Sequence, residues 1–332
     1  MRARQTQWGP IVGLFLVAPF VGEFLLGNLT VAELPIGLLL APMYGFGALL
    51  VRELGRRTGG WPTMVLLAAA YALFEEGPVD QLLWNDSYAG QDLLHGPTYL
   101  PSLGMSVALV QQVLSLHTIW SICVPIALVE ALAGARRNTV WMGRFGLVVT
   151  GALFTLGAVL VFFGNYSEEH FVASPWQLGA VGVVIGGLVL LALLVVPRRR
   201  LARTPGDPPD ARWVGGAALA GSSVILVSSD WCGWVGVVVW CLTVTVSVWS
   251  VQRWARRTGW TPQHTCALAA GAAVTYIWLA FPMRPEGGGS MLVDLLSNAV
   301  FGLLGCLLVG WATIRARREG TPVVSSVARP VA

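Results

Sequence analysis

Apolar runs of about 20 residues recur ten times along this chain, and the segments between them alternate between arginine clusters and stretches with little basic charge. A helix needs about 20 largely apolar residues to cross about 30 Å of hydrocarbon. The runs are 9–28, 34–51, 61–84, 103–133, 141–163, 175–196, 213–229, 231–251, 262–282 and 291–314. The fourth is longer than one crossing requires, so it tilts or its outer end leaves the hydrocarbon. The seventh and eighth are divided only by Ser229-Asp230-Trp231. Basic segments carry Arg2/Arg4, Arg52/Arg56/Arg57, Arg136/Arg137/Arg144, Arg198 to Arg203 with Arg212, Arg253/Arg256/Arg257 and Arg315/Arg317/Arg318. In the segments between them, 29–33, 85–102, 164–174, 229–231 and 283–290, Arg284 is the one basic residue. The positive-inside rule puts the arginine-rich set in the cytoplasm. The expectation is an all-α, polytopic transmembrane bundle of about ten spans in the cell membrane, with N and C termini both inside. The first run follows Arg2 and Arg4 as a signal peptide would. Its length, its Glu23 and the lack of an A-x-A site favour retention as a span.

Composition narrows the class. Charged residues make up 11% of the chain and hydrophobic ones 55%, with a mean hydropathy of +0.67. A soluble domain carries about 25% charged residues, so lipid is the expected solvent and the bilayer the expected partner. The net charge of +4 comes from the arginine clusters, and no basic stripe of the kind nucleic acid requires is present. The five cysteines form no CxxC pair and the four histidines are dispersed. A disulfide framework, a metal site and a cofactor are therefore not expected. Segment 197–212, rich in Pro, Arg and Asp, reads as a cytoplasmic linker between a six-span bundle over 1–196 and a four-span bundle over 213–314. Residues 315–332 read as a disordered cytoplasmic tail. Arg56-Arg57-Thr58-Gly59 recurs as Arg256-Arg257-Thr258-Gly259, with Pro62 and Pro262 at the same offset. Transporters are often built from repeats, and a shared interfacial turn gives the same pattern.

Ionisable groups inside the apolar runs carry the chemistry. Each costs at least about 2.5–3.5 kcal/mol at the bilayer centre. They are Glu23, Glu75, Glu76, Asp80, His117 and Asp294, with Glu130 near the inner end of the fourth run. On an α-helix adjacent Glu75 and Glu76 point about 100° apart, so the two are not expected to face one cavity squarely. Glu76, Asp80 and Trp84 fall on one helical stripe, Tyr71 and Glu75 on another. Gly77-Pro78 follows, and proline removes the amide that would bond the Phe74 carbonyl, which predicts a kink. Irregular backbone at membrane depth survives where protein or a water-filled cavity surrounds it. Glu23, Glu75, His117 and Asp294 each lie about 18 to 21 residues from an inner arginine, roughly 27–32 Å at 1.5 Å per residue. One shared polar site fits that common depth, as do four separate contacts with the outer interface. Close carboxylates in a low dielectric share a proton, and a carboxylic acid beside an imidazole is a donor–acceptor pair. Tyr71, Phe74 and Trp120, with Trp240, Tyr276 and Trp278, lie deep enough to line a cavity whose ring faces would stabilise a cation.

Glu75-Glu76 followed by His117 in VLSLHTIWS resembles part of the CPBP group of glutamic intramembrane proteases, which pairs EExxxR with FxxxH and a later HxxxN/D. Asp80 stands at the Arg position and Val113 at the Phe position, and His264 is followed by Thr265-Cys266-Ala267-Leu268. In overall character the chain is similar to the integral-membrane terpene cyclases of actinobacterial natural-product pathways. That likeness implies Glu75, Glu76 and Asp80 as acids, with Tyr71, Phe74 and Trp120 against a cationic intermediate. The leading expectation is a membrane-embedded enzyme performing acid–base chemistry at Glu75, Glu76, His117 and Asp80 on a lipophilic small molecule. Tyr71, Phe74, Trp120, Glu23 and Asp294 would bind that substrate. A transporter, proton-coupled through the same carboxylates, a glutamic intramembrane protease of the kind the CPBP resemblance implies, and a scaffold with ion-paired spans are the alternatives. A sealed Glu–His contact favours a structural lock, a cavity open sideways favours an enzyme, and a path reached from alternate sides favours transport.

Overall fold

The structure, a computed structural model, describes residues 6–198, 202–228, 233–285 and 288–320. The fold is all-helical, 76% helix against 2% strand. Eleven α-helices follow one another: α1 (Trp8–Pro19), α2 (Leu34–Arg57), α3 (Trp61–Phe74), α4 (Val107–Ser115), α5 (Val124–Ala133), α6 (Arg144–Glu169), α7 (Pro175–Leu190), α8 (Ala211–Val227), α9 (Trp234–Ala255), α10 (Pro262–Leu279) and α11 (Met291–Gly320). Among the described residues six helical stretches are long and apolar enough to cross a membrane: Val31–Arg57, Val107–Arg136, Arg144–Glu169, Pro175–Val195, Trp234–Ala255 and Met291–Glu319. Trp8–Phe24 and Ala211–Val227 are apolar but shorter.

Four wide π-helical turns extend or join these helices: Phe20–Phe24 after α1, Glu75–Val79 after α3, Leu116–Cys123 between α4 and α5, and Leu191–Val195 after α7. The kink expected at Gly77-Pro78 is such a turn. Because Pro78 cannot donate, the ladder widens and the Asp80 amide reaches back five residues to the Glu75 carbonyl at 2.7 Å. The third run thus stays helical only to Val79. The stripe expected through Glu76, Asp80 and Trp84 does not form, since Gln81 at φ 60 turns the chain away. Residues 103–106, assigned to the fourth run, instead belong to a short hairpin pairing β1 (Tyr99–Leu100) with β2 (Met105–Ser106).

The α4–α5 helix is the axle of the assembly. Within its apolar window 72% of residues are buried, against 11% in α7 and in α9, so those two helices stand at the perimeter. One core joins α1, α2, α3, α5, α6 and α7 through Leu14, Leu49, Met64 and Ile126. A second joins α5 to α8, α10 and α11 through Leu128, Cys266, Ala273 and Ala312. The segments before and after the linker therefore share α5. Close backbone approach sets part of this packing: a Cβ on Gly45 of α2 would lie 2.6 Å from the Phe15 carbonyl oxygen of α1.

Of the linker, 199–201 lie outside the described residues, and Thr204 bridges to Arg257 in the α9–α10 turn. Residues 229–232, between the seventh and eighth runs, also lie outside the described residues. Helix α11 continues to Gly320, six residues past the expected end of the tenth run. Glu319 pairs there with Arg137, so residues 315–320 are helix rather than tail. Residues 321–332 are outside the described residues.

The arginines expected on the second basic loop are helical and partly sealed. Arg52 is fully buried with Glu53, bonding Glu53 at 2.5 Å and Glu130 at 3.0 Å. It also donates to the carbonyls of Arg137 and Thr139, and its guanidinium lies 3.5 Å from the Trp141 ring centre. Arg56 pairs with Glu130 and Arg57 with Glu53 at 3.2 Å. Trp141, expected in an interfacial belt, is 1% exposed beneath Arg52.

Candidate functional site

Three of the four π-helical turns each carry an intramembrane ionisable group, and they meet. Such turns are rare and concentrate at functional sites. The turn after α1 carries Glu23, the one after α3 carries Glu75 and Glu76, and the one between α4 and α5 carries His117. The His117 imidazole lies between the two adjacent carboxylates. Its Nε2 is 2.6 Å from Glu76 Oε1, and its Nδ1 is 2.7 Å from Glu75 Oε2. The adjacent glutamates do diverge, as their angular offset requires, and an imidazole with nitrogens on opposite edges fills the space between them. Glu75 is 0% exposed, Glu76 5% and His117 8%.

The two contacts differ in kind. Nε2 and Glu76 Oε1 are aligned as a hydrogen bond. Nδ1 bonds Ser121 Oγ at 3.0 Å, one turn along the same segment. Glu75 approaches Nδ1 off that direction, so both of its oxygens are buried without an aligned hydrogen bond. The Tyr71 hydroxyl lies against Glu75, within interaction distance of its carboxylate. A buried carboxylate without aligned donors costs free energy that pure packing would not retain.

A second layer surrounds the clasp. Tyr44 of α2 donates to Glu23, which also accepts from Asn28 Nδ2 at 3.4 Å. The Tyr44 ring centre lies 6.2 Å from that of His117 and 6.3 Å from that of Tyr71. Gly22 permits the approach: a Cβ there would stand 2.8 Å from the Tyr44 ring and 3.2 Å from Ser121 Oγ. Asp80, within electrostatic reach of Glu75, Glu76 and His117, accepts from Asn165 Nδ2 of α6 at 2.8 Å. Gln81, strained at φ 60, is held by its Oε1 accepting from the Ala173 amide at 2.6 Å. Left-handed backbone at a non-glycine residue persists where surroundings over-determine it, often near functional sites.

The other expected residues are distributed as follows. Phe74 and Tyr71 pack on Phe154 of α6, with centroids 5.4 and 6.1 Å apart. Trp120 is wholly buried, stacked on Tyr276 at 4.5 Å and 3°, and its Nε1 donates to the Ala272 carbonyl at 2.7 Å. Asp294 belongs to a different polar group at the start of α11. It accepts from Asn298 Nδ2 at 2.9 Å and lies 3.7 Å from Arg284. The common depth in sequence thus resolves into one cluster around Glu23, Glu75, Glu76, Asp80 and His117, and a separate one around Asp294. Tyr44, Ser121 and Asn165 were not legible in the sequence, because neutral polar residues incur too little cost in an apolar run to stand out.

A cavity of about 670 Å³ lies apart from the clasp. It is walled by α3, the α4–α5 helix, α8, α9 and α10, and Thr118 and Ile119, the residues directly after His117, form part of its lining. Leu242 and Val246 also line it and are 61% and 59% exposed, so it opens at the perimeter of the assembly. Among the described residues no three His, Cys, Asp or Glu side chains are placed to hold a metal ion. No protein-family model matches the chain, and no curated protein or solved structure matches it.

Proposed function

We propose that this chain is a ten-span protein of the cell membrane with both termini in the cytoplasm, and that it is an enzyme moving protons to or from a lipophilic substrate at Glu75, Glu76 and His117. One observation carries the proposal: an imidazole clasped by two buried carboxylates, each partner presented by a π-helical turn. Nε2 and Oε1 are 2.6 Å apart, a hydrogen-bonded pair in which either partner can carry the proton. General acid–base catalysis by such a group contributes about 10²–10⁴-fold in rate.

Within this class, acid-initiated cyclisation of a prenylated substrate fits best. The array gives a proton to an alkene carbon or epoxide oxygen, the carbocation closes a ring, and a carboxylate takes a proton back, so no redox partner is required. The ring faces of Tyr44 and Tyr71, beside the carboxylates, suit a transient cation. Membranes containing wild-type protein, Glu75→Gln, Glu76→Gln or His117→Ala are supplied with prenylated alkenes and epoxides, and products are resolved by mass spectrometry. Wild type is expected to form cyclised products, and Glu76→Gln and His117→Ala to lose at least 100-fold. Equal turnover in all three variants removes the assignment.

The low exposure of the clasp favours a second reading, a lock between α3 and the α4–α5 helix. Under it, wild-type membranes yield no product and the same variants lower the unfolding temperature.

A further inference from the structure

We infer that the cavity beneath α9 binds a single-chain lipid phosphate, with its chain inside and its phosphate at Arg253 and Arg256. The inference deepens the acid–base reading by naming a substrate class, and rests on it only for what later happens to the ligand.

The shape selects the chain. Lining residues run along α9 from Leu242 to Ala255, about 20 Å at 1.5 Å per residue. That exceeds the ~15 Å occupied by one leaflet of a 30 Å hydrocarbon core. The volume of about 670 Å³ falls within the range of ~300–1,000 Å³ typical of ligand pockets. A lining of that length and volume has room for one extended chain. Small residues make the space: Ala217, Ala218 and Gly221 of α8 face Ser247 and Ser250 of α9 across it. Helix α9 is pinned to α4 only beyond the cavity, where Gln111 Nε2 reaches the Val237 carbonyl at 3.4 Å and Trp240 Nε1 reaches Ser115 Oγ at 2.9 Å. Past Leu242 it leans on α8, where a Cβ on Gly221 would lie 3.2 Å from Ser247 Oγ, and the cavity opens beside that contact.

Charge selects the head. At the arginine-rich end the lining includes Trp61, Trp254 and Trp260, amphipathic rings of the kind that sit at a membrane–water boundary. Arg253 and Arg256 flank Trp254 and Ala255 there, and both are exposed. Neither has a carboxylate partner among the described residues, in contrast to Arg52, Arg56 and Arg57 at the end of α2. Arg253 lies 5.6 Å over the Trp249 ring, which leaves its donors free for an anion. Two exposed arginines without a carboxylate partner among the described residues, adjacent in the chain to the lining residues Trp254 and Ala255, match a phosphate joined to a chain. The inner end of the cavity reaches Thr118 and Ile119, so the far end of the chain would lie next to the segment bearing His117.

The test uses purified full-length protein in lipid nanodiscs with three diazirine-bearing probes: geranylgeranyl monophosphate, hexadecyl monophosphate and uncharged geranylgeraniol. Crosslinks on wild type are expected in 118–127, 217–225 and 242–255, with either phosphate at least tenfold above the alcohol. Ala218→Phe with Ser247→Phe, which fills the cavity, is expected to cut labelling by either phosphate at least tenfold. Arg253→Glu with Arg256→Glu is expected to erase the advantage of phosphate over alcohol. Labelling confined to other segments, equal labelling by the alcohol, or full labelling of the filled variant each overturns the inference. Crosslink mapping on wild type decides the matter if a variant misfolds. A preference between the prenyl and saturated phosphates identifies the chain and leaves the site assigned. Glu76→Gln is expected to label as wild type does, so a failed acid–base reading and a failed lipid site give different results.

Discussion

Arg52 has no water to fall back on, and every donor it uses is matched by Glu53, Glu130 or a backbone carbonyl. Removing one partner of a buried pair costs about 3–5 kcal/mol because the other charge is left stranded. Arg52→Ala is therefore expected to lower the unfolding temperature in detergent far more than Arg253→Ala, whose side chain is exposed. Similar melting of the two variants would contradict the buried network. At the clasp, Tyr44→Phe removes the donor to Glu23 while keeping the ring. Product formation is expected to fall severalfold with the fold retained, read by turnover beside a thermal melt. The sequence made Glu75, Glu76 and His117 visible because a charge in an apolar run is expensive. It made Arg52 look like a loop residue, because the neutralising Glu130 arrives from 78 positions away. Spacing along a chain carries no record of such a meeting.

At the scale of the helix, each apolar run falls on a helical segment, but among the described residues only six stretches are long and apolar enough to cross a membrane. Hydropathy marks where a segment is apolar, whereas helix ends follow hydrogen bonding. Thus α2 carries its arginines inside its last turns and α11 runs on to Gly320. The π-helical turns had no sequence signature except at Pro78, where a missing amide forces a wider ladder. Pro78→Ala restores that amide and favours a regular α turn, which rotates Glu75 and Glu76 relative to His117. Turnover is expected to fall at least tenfold while stability changes little, measured as product yield against unfolding temperature. Unchanged turnover would mean that the wide turn does not set the clasp. Gly45→Leu drives a side chain into the α1 backbone, and overpacking of this kind costs about 1–3 kcal/mol. Its expected signature is a lower melting temperature in detergent.

For the whole molecule, the proposed orientation rests on the alternation of arginine clusters, which apolarity alone does not supply. Under the proposed topology, a fluorescent protein fused after Ala332 is expected to mature and a phosphatase reporter inserted near Ser87 is expected to be active. The opposite pair would invert the topology. The assembly turns on the α4–α5 helix, which carries His117 toward α3 on one face and lines the apolar cavity with Thr118 and Ile119 on the other. The most direct test is ¹⁵N magnetic resonance of His117 in bilayers, with His95, His170 and His264 replaced. The Nε2 signal is predicted to shift in Glu76→Gln and the Nδ1 signal in Glu75→Gln and Ser121→Ala. A His117 spectrum indifferent to all three substitutions would show that the imidazole is not clasped, and the proton-transfer site would not exist.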